Sequence, residues 1–331
     1  MSIKEIIKSI LPKCILEILR ACIEKRAYNR FVKIEKLRYY KASKDKDSLV
    51  KIESQISMIC HIIEKGLTMP NMKLGFGKDN ILKLSKMIEI YIEKGFDIKR
   101  VQVQHAVSVL LEYIEVHKDL KFQLDEKIIS TISKISKRTN IVKASTQHNY
   151  TPETFFADIN SSFDKFSSSR HSVRNYEGEV NIDDIVKAVK LANNTPSSCN
   201  RQASRVYIIK DKQTIKQVLE CQNGHRGFGE LADKLIVLTA DMRVYNGLYE
   251  KNSVYVDGGM YGMNLLYALH QNKIAACTLN CYLSVEKEIK LRGILDIPES
   301  EVFVFILSLG KVPNEFKVAI SQRNNPQIQI K

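Results

Sequence analysis

Apolar residues at spacings of three and four run through the first 140 positions. Ile3, Ile6, Ile7, Ile10, Ile15, Ile18, Leu19, Cys22 and Ile23 trace one such face, which predicts helix over about 3–40 with a kink or restart at Pro12. The same period predicts helices near 48–66, 79–94, 99–118 and 124–138, with no strand-like alternation among them. Between the second and third, the stretch from Gly66 to Gly77 carries glycines and Pro70 and reads as an ordered loop. The polar run Lys143–Asn149 reads as a linker. Beyond it the texture changes. Thr151-Pro152-Glu153 opens a helix with an N-cap followed by proline. Helices near 182–194, 213–220, 255–272 and 284–292 then alternate with β-rich runs at Arg205–Ile209, Lys234–Thr239, Ala275–Leu279 and Val302–Leu309. The pattern predicts an α+β chain: a helical module over 1–150, followed by a second domain over 151–331 with helices packed on a sheet.

Charge sharpens the division. The net charge of +14 is unevenly placed, with 29 lysines and arginines against 17 acids in residues 1–150 and 22 against 20 in the remainder. Nowhere do 18 uncharged apolar residues run together, so no transmembrane helix is expected. Lys4, Glu5, Lys8, Pro12 and Lys13 interrupt any signal-peptide core, and a cytoplasmic location is expected by default. Seven cysteines without a C-x-x-C pair are expected to be buried, reduced thiols rather than a zinc or dithiol centre. Cys277 and Cys281 could meet only if a helix ran through both.

Three clusters in the second half carry candidate chemistry. Arg170-His171-Ser172-Val173-Arg174 places two guanidiniums and a hydroxyl within five residues, a set that suits a phosphate or other oxyanion; a solvated basic turn would look the same. Thr195-Pro196-Ser197-Ser198-Cys199-Asn200-Arg201-Gln202 follows a helix and precedes a strand. Its side-chain amides offer both donors and acceptors, as the edge of a heteroaromatic ring requires, although helix-to-strand loops also favour Pro, Ser and Asn. Ser321-Gln322-Arg323 lies beyond the last predicted strand and by itself is a basic tail.

In order and spacing these clusters resemble the nitroreductase family, whose members open with R-x-S-x-R, continue with P-S-x-x-N-x-Q and close with S-x-R. Arg170, Ser172 and Arg174 match the first element, Pro196, Ser197, Asn200 and Gln202 the second, and Ser321 and Arg323 the third. The helix through Val256–His270 and the strand after it also look like the family's dimer-interface helix and next strand. The resemblance covers about half the chain. It implies a nitroreductase-like mixed sheet flanked by helices, a homodimer through the central helix, and an FMN held between subunits. Arg170 and Arg323 would hold the phosphate with Ser172 and Ser321, His171 lying in the same element. Arg174 would approach the pyrimidine edge or ribityl chain, and Pro196, Ser197, Asn200 and Gln202 would meet the ring and ribityl oxygens. A backbone N–H near Asn280 or Cys281 would face flavin N5. Chemistry would belong to the cofactor, with hydride passing from NAD(P)H through N5 to a small-molecule electron acceptor by a ping-pong scheme. No side chain is needed as an obligatory acid or base, and no metal is expected. The chain departs from the family at Ala203 and Ser204, where Pro and an aromatic residue are common, and at Arg201, which is expected to point to solvent. Related folds perform deiodination, flavin cleavage and azoline oxidation, so the fold alone does not choose the acceptor. The competing reading is a scaffold protein that keeps this fold without catalysis, linked to membrane or surface-polysaccharide assembly; a third is a flavin-storing or redox-sensing protein.

The helical half is less specific. Thirteen basic against six acidic residues in the first 50 invite a peripheral membrane reading, but a helix packed on its own domain with a solvated basic rim is the favoured expectation. No nucleic-acid-binding motif appears. His61 and Glu64 are one helical turn apart, too few for a metal site, and a helix-end hydrogen bond is expected. The segment from His61 to Gly77 resembles an N-terminal element of long nitroreductase-like proteins and reads as a structural or substrate-gating element.

Overall fold

The computed structural model describes residues 11–141 and 144–331. The helix expected before Pro12 therefore lies outside the described residues, apart from Leu11. Pro12 immediately precedes α1 (Lys13–Lys44), where its fixed φ is tolerated and its missing N–H costs no helical bond. Although α1 is 32 residues long, none of them is buried. Its apolar side chains are spread around the helix rather than gathered on one stripe, so Ile18, Ile23, Leu37 and Tyr40 remain exposed. It does not pack on its own domain as expected. Its contacts with the second half include a Glu35–Lys251 ion pair and Lys251 over the Phe31 ring at 4.5 Å.

The next four helices form a separate core. They are α2 (Leu49–Leu67), α3 (Lys78–Glu93), α4 (Val101–Asp119) and α5 (Glu126–Thr139). Ile52, Ile56, Ile59 and Ile63 recur at threes and fours along α2 and bury against Leu84, Ile88, Leu110, Tyr113 and Ile132. The loop from Gly66 to Gly77 is held by α4. His117 accepts from the Gly75 N–H at 2.9 Å, and the Tyr113 hydroxyl donates to the Phe76 carbonyl at 2.7 Å. Gly75 and Gly77 take φ of 69° and 68°, a region that glycine enters at no steric cost.

The polar run read as a linker ends in a strand, β1 (Gln147–Tyr150), which pairs antiparallel with β6 (Phe316–Ala319). Short helices α6 (Pro152–Phe155) and α7 (Phe163–Ser169) follow. The main domain then contains α8 (Ile182–Ala192), β2 (Ser204–Ile209), α9 (Lys212–Cys221), β3 (Lys234–Asp241), α10 (Ser253–Gln271), β4 (Ala275–Asn280), α11 (Val285–Leu295) and β5 (Glu301–Gly310). Its sheet has the order β2-β3-β5-β4, and every pairing among the described strands is antiparallel, where a mixed sheet was expected. Parallel neighbours require a connection that returns the chain to the starting end of the sheet. Here each connection between paired strands leaves and re-enters at one end, as α9 with the loop 222–233 does between β2 and β3.

Strand alternation sets the two faces. Ile236 and Leu238 pack under α8 and α10, against Ile185, Leu265 and Leu269. Leu235 and Val237 face the opposite layer, against Val218, Leu219, Phe228 and Leu291. The all-buried run of β3 is the signature of a central strand covered on both sides. The central helix α10 lies close on the sheet because of its glycines. A β-carbon added at Gly258 would come within 2.6 Å of Val304, and one at Gly262 would overlap the Phe305 ring. Among the described residues no helix is long and apolar enough to cross a membrane.

Two predictions follow from this packing. Gly262→Ala is expected to destabilise by roughly 1–3 kcal/mol through overpacking. Gly259→Ala, with open space around its added carbon, is expected to be neutral or to stabilise by up to about 1 kcal/mol; urea denaturation distinguishes the two. The second concerns His270, which is buried beside Phe155 and bonds Ser169 Oγ at 2.9 Å. Its pKa is pushed down to about 4, by burial first and then by Arg170 and His171. An unfolded histidine titrates near 6.5, so between these values the unfolded chain binds more protons and stability falls as pH is lowered. The urea midpoint should drop as pH falls from about 6.5 to about 4, and His270→Gln should flatten part of that drop.

Candidate functional site

The chain leaves α7 in an extended conformation, and the Val173 N–H donates to the Ala276 carbonyl of β4 at 3.1 Å. In extended chain, residues two apart share a side. Val173 is fully buried, while Arg170, Ser172 and Arg174 line a cavity of about 290 Å³ together with His171, His61 and Arg323. The first and third sequence clusters are thus neighbours in space. They meet because β6 delivers Ile320–Arg323 beside the Arg170 segment, with Ser321 in the left-handed region at φ 49°.

Positive charge accumulates here. The pKa of Arg170 is lowered by burial, and nearby Arg323 adds to the effect. Its Nε is buried and has no hydrogen-bond partner. Arg174 is buried and faces His61 Nε2 at 3.5 Å. Lys65 reaches the same region, and its pKa is lowered by burial first and then by Arg174. His171 is pushed down to about 4, by burial first and then by His148, Arg170 and Arg323, which leaves it neutral at physiological pH. A buried donor without a partner is costly, and a cavity lined by one sign of charge attracts the opposite sign. The arrangement suits a multivalent anion. The cavity is flanked by a larger cleft of about 760 Å³, which shares Arg170, His171 and Arg323 and adds His148, Tyr150 and Tyr267.

The second cluster lies elsewhere within the chain. Ser198 gives its backbone N–H and its hydroxyl to Asp257, both at 3.0 Å, and Tyr245 OH donates to the same carboxylate at 2.8 Å. Ser197 Oγ accepts from the Gln202 N–H at 3.0 Å. Cys199, Asn200 and Gln202 all have positive φ, and Asn200 and Gln202 are exposed. Such a run of left-handed residues is held by its surroundings rather than by propensity. The loop borders a separate cavity of about 180 Å³, lined by Thr195, Pro196, Ser197, Gln202, Asp257 and Tyr261 among others. Asp257 and Tyr267, which mark the two regions, are ten residues apart along α10, or about 15 Å. One chain does not bring this loop to the arginines.

Arg201 does not point to solvent as expected. It makes two bonds to Glu250, at 3.0 and 2.5 Å, donates to the carbonyls of Ser198 and Val244, and lies over the Tyr245 ring at 4.8 Å. Its task is to brace the loop against the segment that enters α10. At the end of β4, the Asn280 carbonyl accepts from Gln222 Nε2 at 3.1 Å, and its side chain accepts from the Tyr282 N–H at 3.0 Å. Cys277 is buried in β4 and Cys281 lies beyond its end, so no helix joins them; all seven cysteines are free, and Cys14, Cys22 and Cys199 are exposed.

The helical region also borders the cavity. Glu64 does not make the expected helix-end bond. It reaches across to His105 Nε2 at 2.9 Å and to the Ser321 N–H at 2.7 Å. His105 and Gln102 are site neighbours that the sequence did not single out, because their partners lie 41 and 220 positions away. Asp257 was likewise hidden, an acid within a glycine-rich helix whose partners come from two separate loops.

Comparison with known proteins agrees with the motif order. Residues 168–225 match the family model described as Nitroreductase family. A protein of Archaeoglobus fulgidus named "Putative NADH dehydrogenase/NAD(P)H nitroreductase" is 28% identical over 155 residues, which cover 46% of this chain and 86% of that protein. Among solved structures, an FMN-dependent nitroreductase from Clostridium difficile R20291 is 23% identical with a TM-score of 0.39, covering 44% of this chain and 86% of that one. A nitroreductase family protein from Clostridium novyi NT is 15% identical with a TM-score of 0.42, covering 46% and 86%. The R-x-S-x-R and P-S-x-x-N-x-Q elements both lie inside the matched segment, so residues 168–225 carry a nitroreductase-family match, behind a helical N-terminal region.

Proposed function

We propose that the protein is an FMN-dependent oxidoreductase that works as a homodimer. The observation that carries this reading is the orphaned, buried Arg170 Nε, set among Arg174, His171 and Arg323 in a cavity of about 290 Å³. A phosphate monoester would supply the missing acceptor and balance the charge. The residues therefore fit FMN: Arg170 and Arg323 would hold its phosphate, with Ser172 and the neutral His171 beside them, and Arg174 would lie toward the ring end. FMN, when bound, would supply hydride and electron-transfer chemistry between a reduced nicotinamide and a small-molecule acceptor in two half-reactions.

The chain's own residues bind, orient and exclude water. Arg174, buried and adjacent to Lys65, provides fixed positive charge that favours negative charge on any bound ring system. The braced loop of Pro196, Ser197, Asn200 and Gln202 presents exposed amides, and a second subunit would carry such a loop to the arginines that its own chain leaves about 15 Å away. The outer face of α10 supports that arrangement. Tyr255, Val256, Met260 and Met263 are all exposed there, at spacings that share one side of the helix.

Absorption spectroscopy of the purified protein with added FMN tests the reading, followed by NADH or NADPH without oxygen. Flavin bands that bleach with a reduced nicotinamide, and that are lost in Arg170→Ala/Arg323→Ala, are expected; a protein that takes up no flavin would refute it. Met260→Glu is expected to convert a dimer to a monomer on size-exclusion chromatography and to release the flavin. A monomeric variant that keeps its flavin would show that one chain suffices.

A further inference from the structure

The helical region grips the segment that carries Arg323. Glu64 on α2 is 1% exposed. One of its carboxylate oxygens accepts from the Ser321 N–H at 2.7 Å, and the other accepts from the Ser321 hydroxyl at 3.2 Å. His105 on α4 bonds the same carboxylate at 2.9 Å, and His61 Nδ1 stands 3.6 Å from it. One residue further, Gln102 Nε2 on α4 donates to the Gln322 carbonyl at 2.8 Å. Two successive residues after β6 are thus held from two different helices. Residues beyond Arg323 are exposed and have no secondary structure. The Arg323 guanidinium itself returns to the Ser321 carbonyl at 2.7 Å. Ser321 is therefore the point from which Arg323 is aimed, and its positive φ is tolerated because Glu64 takes both of its donors.

Glu64 is not built to bind the anion. A carboxylate beside an anion cavity would repel it, and here its lone pairs are turned to Ser321 and the histidines. We propose that the helical region completes the phosphate end of the flavin site, with Glu64, assisted by Gln102, as the positioning residue that fixes Ser321–Gln322 so that Arg323 faces Arg170 across the cavity. This rests on the flavin reading for the identity of the ligand. It makes the N-terminal helices part of cofactor binding, with no contact to the cofactor from Glu64 itself.

The test compares FMN with riboflavin, which lacks the phosphate, by flavin fluorescence on the full-length chain. Glu64→Ala is expected to weaken FMN by roughly 10- to 100-fold, the scale of a lost charge-assisted bond, while riboflavin changes by less than about threefold. Arg323→Ala should show the same selective loss, and the double variant should be no weaker than Arg323→Ala alone, because both act through one contact. Arg100→Gln breaks the 2.8 Å ion pair with Glu53 in the same helical region and should leave the FMN-to-riboflavin ratio unchanged. Should Glu64→Ala fail to fold, Gln102→Ala with Glu64→Gln takes its place. Equal loss of FMN and riboflavin, additive losses in the double variant, or full FMN affinity in Glu64→Ala would each overturn the proposal. Inorganic phosphate, followed by phosphorus NMR, reads the cavity without a flavin. Wild-type binding of phosphate but not FMN would sink the flavin reading alone, and phosphate binding that survives Glu64→Ala would sink this one.

Discussion

The antiparallel pairing of Gln147–Tyr150 with Phe316–Ala319 is the constraint on which the rest of the site depends. One strand ends the helical region and the other nearly ends the chain, so a ladder of four residue pairs closes a loop of about 170 residues. From that ladder, Thr146 is drawn onto α4, its backbone N–H bonding Glu112 at 2.9 Å and its hydroxyl bonding the same carboxylate. On the other strand, Ile320 bonds back to the Thr146 carbonyl at 3.1 Å, and Ser321 follows it into the grip of Glu64. Loop closure over such a length is entropically unfavourable. The buried Val318 and Phe316, packed with Tyr150 and Phe155, offset that cost.

Concentrating Arg170, Arg174 and Arg323 around one cavity, with Lys65 close to Arg174, is electrostatically unfavourable. Burial lowers the pKa of both Arg170 and Lys65, and two neighbouring histidines are pushed down to about 4 and so add no charge. Like charges held this close cost stability, which an anion of opposite charge would offset. The helical region contributes on both sides of the balance, with Lys65 close to Arg174 and Glu64 bonded to Ser321, two residues before Arg323.

Much of the site was legible in the sequence because its residues are grouped in short runs. An R-x-S-x-R run in extended chain puts its alternate members on one side, and a Pro-Ser-rich stretch between helix and strand is bound to be a loop. What could not be read was the function of single residues inside those runs. Ser321 stands at a family-like position, yet both its donors go to Glu64. Arg201 looked free, yet it is locked by Glu250 and Tyr245. In each case the partner is remote in sequence, 257 and 49 positions away, and no local pattern encodes such a distance.

Local sequence was enough to place most helices, the four strands of the main sheet and the point at which helical texture gives way to alternation, because hydrophobic period and turn chemistry are local properties. The expected strand Lys234–Thr239 became Lys234–Asp241, and the expected helix 255–272 became Ser253–Gln271. Contacts between distant segments settled that the described strands all pair antiparallel, that α1 buries none of its residues, and that the polar run before Thr151 ends as a strand. The same contacts brought the two arginine clusters together and left the amide loop at the far end of α10. Those outcomes depend on which surfaces meet across hundreds of residues, and they were settled by burial, strand pairing and charge acting between segments that share no local pattern.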